Sequence, residues 1–336
     1  TKEKSILHVL RDFLGKASDL ERILGRINKT KASPRDLLGL KNTYELITQI
    51  LKILTESDVV NSLKINKWFG ETKSLIDSIK TKINEDAPAT LKQGGVIAQG
   101  INSELDKLRS MAKDGSEWIT QLQSSERERT GISSLKIGYN KVFGYYIEVT
   151  KTHLEKVPSE YIRKQTLVNA ERYFIPELKE YEEKILSAEE KLSEIETRLF
   201  QELCREILCE AHSIQNNAES LNKLDILTAF AFLAIQNKYV KPRFTRNPIL
   251  KLKKARHPVV EKLLPVTEKF IPNDLEINTK KNQIHLITGP NMAGKSTYLR
   301  QVGLIIIMAQ IGCFVPANKA EIGIVDHLFT RVGASD

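Results

Sequence analysis

The run Gly289-Pro290-Asn291-Met292-Ala293-Gly294-Lys295-Ser296-Thr297 constrains this chain more than any other stretch. It follows Ile284, Leu286 and Ile287, an apolar run broken by His285 that predicts a buried strand, and it opens a helical pattern near Lys295. Two glycines at this spacing let several backbone N–H groups converge on an anion, and a helix starting there turns its positive end to the same point. The Lys295 ammonium adds a point charge for outer phosphates, and the Ser296 hydroxyl is placed to ligate Mg²⁺. From about Lys241 the pattern is α/β: Pro-punctuated extended segments, this loop, its helix to Gly312, and a strand near Phe314-Val315.

Ahead of that region the pattern is mostly helical. Ile6, Val9, Leu10, Phe13 and Leu14 share a face, and Leu20, Ile23, Leu24 and Ile27 repeat it. Ser33-Pro34 supplies an N-cap followed by Pro at the first helical position of a run carrying Leu37, Leu40, Tyr44 and Ile47. Further helices are predicted over Asp58 to Lys82 and about Ile101 to Leu122, with Gly94-Gly95 as a bend. The period changes at Gly131. Leu135, Ile137 and Tyr139 alternate with Lys136 and Gly138, and past the Asn140-Lys141 turn Tyr145, Ile147 and Val149 alternate with Tyr146, Glu148 and Thr150, which predicts a strand pair. Lys151 to Tyr173 is basic and polar, and on charge alone it reads as a solvated surface. Pro176-Glu177 starts a long helix whose Leu178, Tyr181, Ile185, Ala188, Leu192, Ile195 and Leu199 form a heptad seam, drifting to steps of four through Leu203, Ile207 and Ala211. Unbroken to about Gln215, it would span roughly 60 Å. A second apolar helix, Leu221 to Ile235, leads to Pro242.

The net charge of +9 favours a polyanionic partner without requiring one. Cys204, Cys209 and Cys313 lack metal-ligand spacing and suit a reducing cytosol. Val302 to Ile311 is the longest candidate for a membrane span, and it is too short and contains Gln310; no signal-peptide pattern opens the chain. The chain begins inside a helical pattern without an initiator Met, as expected of a piece of a longer protein.

Several separated motifs carry a resemblance. The run from Ile287 to Gln301 resembles the phosphate loop of the MutS family of DNA mismatch repair proteins. Arg256-His257-Pro258-Val259-Val260-Glu261 upstream, and Phe329 to Asp336 downstream, are similar to that family. So are Gly138-Tyr139-Asn140 with Gly144-Tyr145-Tyr146-Ile147, and Arg163 to Tyr173. The match covers essentially the whole chain.

The resemblance implies a multidomain, mostly α protein with an inserted β module and a partial α/β P-loop ATPase of the ABC type. Residues 1–118 would be core and lever helices, 119–179 a β clamp that closes over DNA, 180–240 returning lever helices, and 241–336 the N-terminal portion of the ATPase. ATP or ADP with Mg²⁺ would be held by Gly289, Pro290, Asn291, Met292, Ala293, Gly294, Lys295, Ser296 and Thr297, with Ser296 on the metal and Phe270 and Ile271 against adenine. Without the resemblance, Phe270 reads as a core residue. The basic stretch becomes a phosphate-contacting face, with Lys141, Arg163, Lys164, Thr166 and Asn169 as candidates. The implied partners are mismatched double-stranded DNA, a second copy in a homodimer and the downstream factor MutL, in a bacterial, nucleoid-associated cytoplasmic setting with no membrane.

The departures limit the reading. The family's mismatch reader wedges a Phe beside a Glu; Phe69-Gly70-Glu71 fits the bare spacing but lies in the helical scaffold and reads as chance. Ile322 to Asp326 is an apolar run ending in an acid, yet His327 stands where the water-activating Glu is needed, and the family's metal-holding strand and signature loop belong beyond Asp336. The chain is therefore expected to grip nucleotide without hydrolysing it. Two alternatives are a helical interaction module with a vestigial loop and the family's paralogue acting outside mismatch repair, which lacks this clamp. A transporter subunit is disfavoured because the helices are heavily charged.

Overall fold

The computed structural model describes residues 2–55, 64–71, 73–140, 142, 144–265, 267–290 and 293–330. It is a mixed helical and sheet structure in two compact units: Ala17–Ala218 is one, and Thr1–Lys16 with Glu219–Asp336 the other. Helix α1 (Lys2–Lys16) belongs to the second unit.

The first unit opens with α2 (Leu20–Asn28), started by the Asp19 carboxylate, which accepts the Arg22 N–H, and burying Leu20, Ile23, Leu24 and Ile27. In α3 (Pro34–Thr55) Ser33 caps as its sequence predicts: its hydroxyl accepts the Asp36 N–H while the Asp36 carboxylate accepts from Ser33. The single helix expected from Asp58 to Lys82 is not continuous. Residues 56–63 lie outside the described residues; beyond them Lys64 is left-handed, Ile65–Lys67 forms one 3₁₀ turn, and the Gly70 N–H is taken by the Asn217 side chain, so that α4 starts at Lys73 and ends at Lys82. Helix α5 (Ser103–Thr130) outruns the expected Leu122. Asn102 caps its first turn and left-handed Gly131 ends it.

Helix α6 (Pro176–Cys209) carries the heptad seam, but the long rod breaks at Glu210, after which α7 (Ala211–Asn237) begins. The Glu210 N–H reaches back only three residues, to Ile207, which tightens the ladder there. Buried Ile207 and Ile214, seven apart, still line the core across the break. Where α5 crosses α6, Gly115 lies so close to Ile185 that an added Cβ would sit 2.7 Å from its side chain, and Trp118 stacks on Tyr181 with ring centroids 3.7 Å apart. Glu196 of α6 is almost wholly buried. Its carboxylate accepts from the Gly95 N–H at 3.1 Å, the Val96 N–H at 3.4 Å and the Arg109 guanidinium at 2.5 Å. Gly94 and Gly95 both have positive φ, so the bend expected there is tied to both helices through one carboxylate.

Between α5 and α6 lies an antiparallel sheet of four strands rather than one pair, in the order β1-β2-β4-β3: β1 (Lys136–Asn140), β2 (Gly144–Thr150), β3 (Ile162–Thr166) and β4 (Ala170–Phe174). One face buries Ile147, Val149 and Tyr173 with Ile132, Leu135, Tyr161, Ile175 and Leu178. Gly144 sits at φ +71, and the Glu182 carboxylate of α6, which accepts the Tyr145 N–H at 3.0 Å, occupies the space of its missing Cβ. Gly144→Ala should destabilise the chain by roughly 2–3 kcal/mol in urea unfolding, and adding Glu182→Ala should recover the steric part.

The second unit contains a four-stranded mixed sheet ordered β5-β8-β6-β7: β5 (Arg243–Thr245), β6 (Ile249–Ala255), β7 (Asn273–Asn278) and β8 (Lys319–Gly323). A single-turn helix, α8 (Val260–Leu263), follows β6, and α9 (Lys295–Gln310) packs Ile305 and Ala309 on Leu252, Leu275, Ala320 and Ile322. The expected strand at Phe314-Val315 is one bridge, from Val315 to Val240. The buried strand expected at Ile284–Ile287 is absent: the segment belongs to neither sheet, and Ile284 and Leu286 are almost fully exposed. An apolar run becomes a buried strand only between paired neighbours and under cover on both faces, and among the described residues β7, next before it in sequence, pairs only with β6. Likewise β8 ends at Gly323, short of exposed Asp326.

Candidate functional site

The glycine loop leads into α9 as expected. Gly294 takes the left-handed conformation (φ +88) that turns the chain into the helix, and no side chain caps the start. Tyr298 is the first residue of α9 whose N–H returns to the loop, at Gly294 O, 2.9 Å. The N–H groups of Lys295, Ser296 and Thr297 therefore have no partner among the described residues and face the helix's positive end, an arrangement suited to an anion. The Lys295 ammonium is folded into the loop, donating to Gly289 O at 2.5 Å and Pro290 O at 2.8 Å. An entering phosphate would exchange for these two exposed carbonyls.

Around the loop is a cleft of about 630 Å³. Gly289, Ala293, Gly294, Lys295 and Thr297 line it together with Phe270 and Ile271, so the structure brings the loop and the two expected base-contacting residues to one cavity. Asn291 and Met292 lie outside the described residues, and Pro290 and Ser296 are in the loop and the first turn of α9 rather than in the cleft lining. Ser296 is half-buried at the helix start; one hydroxyl there fits Mg²⁺, which keeps several waters and takes few protein ligands. Sequence reasoning did not single out Val260, Leu264, Glu268, Lys269, Asn273 or Tyr298 of the same cleft. Two of them carried a signal: Tyr298, one position past the motif, and Val260, inside the upstream stretch similar to the family. The Tyr298 hydroxyl donates to Asp274 O at 3.2 Å, tying α9 to β7.

The wall formed by α8 is set by His257. Its Nδ1 accepts the N–H groups of Val259 and Val260, both at 3.2 Å, so the ring is neutral with its proton on Nε2. Burial, reinforced by the Arg300 charge, pushes its pKa below the ordinary value of 6.5. The fold thus favours neutral imidazole. Above about pH 6.5 both states are neutral and stability is full; as pH falls from there to the lowered folded value the unfolded chain takes up the proton first and stability declines. Urea unfolding across this range should show that decline, and His257→Asn, which keeps an acceptor but does not titrate, should remove this part of it.

The basic candidates occupy the other sheet. Arg163, Lys164, Thr166 and Asn169 are all exposed. Arg163 lies 3.7 Å from Glu171, and Lys164, the extra residue in a bulge opposite β4, places its ammonium 5.3 Å from the Phe174 ring centre. Thr166 and Asn169 flank the β3–β4 turn at one end of the sheet, where the Asn169 carbonyl accepts the Lys151 N–H. The β1–β2 turn is at the opposite end, and Lys141 within it lies outside the described residues. The four described candidates thus lie along β3 and its turn into β4. Arg172, counted only as charge in the sequence, is fixed on the outer face over Tyr146, bonded to Glu148 and Gln165.

Two family models match: MutS family domain IV over residues 100–191 and MutS domain V over residues 285–336. Curated proteins named DNA mismatch repair protein MutS are similar along nearly the whole chain. That of Salinibacter ruber is 47% identical over 99% of this chain, that of Parabacteroides distasonis 48% over 100%, and that of Alkaliphilus oremlandii 49% over 97%. The chain spans 37 to 38% of the length of these relatives. Motifs spread from the four-stranded antiparallel sheet to the glycine loop, with this identity along nearly the whole chain, place the chain in the MutS family of DNA mismatch repair proteins.

Proposed function

We propose that this chain is the part of a mismatch repair ATPase that grips nucleotide and clamps DNA. The observation that carries the reading is the glycine loop, whose uncapped helix start and Lys295 face a cleft that also holds Phe270 and Ile271. In it, Gly289 to Thr297 hold the phosphates of ATP or ADP, Ser296 contributes to Mg²⁺, and Phe270 and Ile271 contact the base. Residues 1–118 and 180–240 act as core and lever helices, 119–179 as the clamp and 241–336 as part of an ABC-type ATPase. Arg163, Lys164, Thr166 and Asn169 contact DNA phosphates, with Lys141 a further candidate. In the full protein, nucleotide state sets the clamp on mismatched DNA, a second copy completes the hydrolytic site, and MutL acts downstream. By itself the chain binds nucleotide without turning it over.

The direct test is thermal and urea unfolding of the chain with and without ATP and Mg²⁺. A binder is stabilised by about 2.7 kcal/mol at a ligand concentration a hundred times Kd, and a vestigial loop gives no protection. For the clamp, reversing Arg163 and Lys164 to Glu should weaken duplex binding about tenfold or more at low salt, equally for matched and mismatched DNA, because phosphate contacts carry no sequence information. Preserved affinity in that variant would remove these two residues from the interface.

A further inference from the structure

One partly buried guanidinium joins the end of α7 to the wall of the nucleotide cleft. Arg256 follows β6, and its Nη2 donates to Asn237 O at 3.1 Å and lies 3.5 Å from Lys238 O, the last carbonyls of α7. Its Nε lies 3.1 Å from the Glu261 carboxylate of α8, and its backbone N–H donates to Pro316 O at 2.8 Å. Glu261 follows Val260, which lines the cleft with Leu264 just past the helix. These groups all belong to the second unit.

Both ends of this link need holding. Helix α7 closes through Lys238 in the left-handed region (φ +53), with the Tyr239 N–H returned to Ala234 O at 2.9 Å. A side chain other than glycine is disfavoured in that conformation and persists when its surroundings fix it, and a cation at the helix's terminal carbonyls does so. At the other end, α8 is a single turn, too short to be stable by itself, anchored by the His257 ring and the Arg256–Glu261 pair. The planar guanidinium serves the α7 carbonyls and Glu261 together only when both are in place.

We propose that Arg256 couples occupancy of the nucleotide cleft to order in the last turn of α7. It is a positioning residue that acts through Glu261 and α8 without touching the ligand, and the inference rests on the nucleotide reading of the cleft. A nucleotide against Val260 and Leu264 holds α8, which fixes Glu261 and with it the guanidinium on Asn237 O. By linkage, an ordered α7 end tightens nucleotide binding by the same factor.

Hydrogen exchange of the full 336-residue chain tests this, with Mg²⁺ and a non-hydrolysable ATP analogue as the probe. In the unaltered chain the analogue should slow exchange of the amides from Asn237 to Tyr239 about fivefold or more. Arg256→Ala and Glu261→Gln should bind the analogue more weakly by about the factor of the lost slowing, and at saturating analogue show no slowing, while Arg256→Lys, which keeps the charge but not the fork, should show part of it. Should Arg256→Ala fail to fold, Glu261→Gln, at a carboxylate one third exposed, carries the test. Slowing that survives in a variant that binds, or an unaltered chain that binds without slowing, overturns the coupling alone. An unaltered chain that does not bind overturns the nucleotide reading and this inference with it.

Discussion

Lys295→Ala should remove about half or more of the stabilisation of this chain by ATP and Mg²⁺ while leaving its stability without nucleotide almost unchanged. The two results have separate causes. The ammonium's present partners are the exposed carbonyls of Gly289 and Pro290, which water satisfies once the side chain is gone, so the cost without nucleotide should stay within about 0.5 kcal/mol. With nucleotide, the same ammonium is the only cation that the glycine loop itself contributes. A charge-assisted hydrogen bond to phosphate contributes about 1.5–3 kcal/mol, which corresponds to a rise in Kd of roughly ten- to a hundredfold. Isothermal titration and the shift in Tm at fixed ATP read this directly. Equal protection of the altered and unaltered chains would mean that the cleft does not hold phosphates as argued.

Glu196→Ala should give the largest loss of stability of any single change in the helical scaffold, about 3–5 kcal/mol, because it strands a buried partner. Three donors converge on that carboxylate, from Arg109 on α5 and from the backbone at Gly95 and Val96; its removal strands the two backbone N–H groups and leaves Arg109 with Ile97 O and Asp106. Glu196→Gln keeps an acceptor without the charge and should cost less. Arg109→Ala should also cost less, since Arg109 is partly exposed and Glu196 keeps its two backbone donors. The double change should cost well under the sum of the two singles in urea unfolding, the signature of one shared interaction.

What the sequence made legible follows from how local each signal is. The glycine loop and its helix depend on residues adjacent in the chain, and both were readable. So were the Ser33 cap, the alternation of Leu135 to Val149, and the heptad seam of α6. The misjudged features depend on distant partners. Ile284, Leu286 and Ile287 have the composition of a buried strand, but pairing is decided by neighbours far along the chain, and the described sheet ends at β7. Strands β3 and β4 were missed because Arg163, Lys164 and Arg172 interrupt the apolar alternation; they pair because Tyr161, Tyr173 and Ile175 supply the buried face. Glu196, one position past the seam residue Ile195, reads as solvated in a helix rich in Glu, and only the fold of the Gly94-Gly95 bend against it shows otherwise. In the cleft, Phe270 and Ile271 came from family resemblance, whereas Leu264 and Asn273 are brought there by tertiary packing alone.

The stacking of Trp118 on Tyr181 has a practical consequence. The chain holds two tryptophans, Trp68 and Trp118, and Trp118 lies in α5 against both α6 and the core of the four-stranded antiparallel sheet. Its ultraviolet emission is therefore a built-in optical gauge of whether those helices remain in register. With Trp68→Phe the signal has a single source, and separation of the pair should appear as a red shift that needs no attached dye.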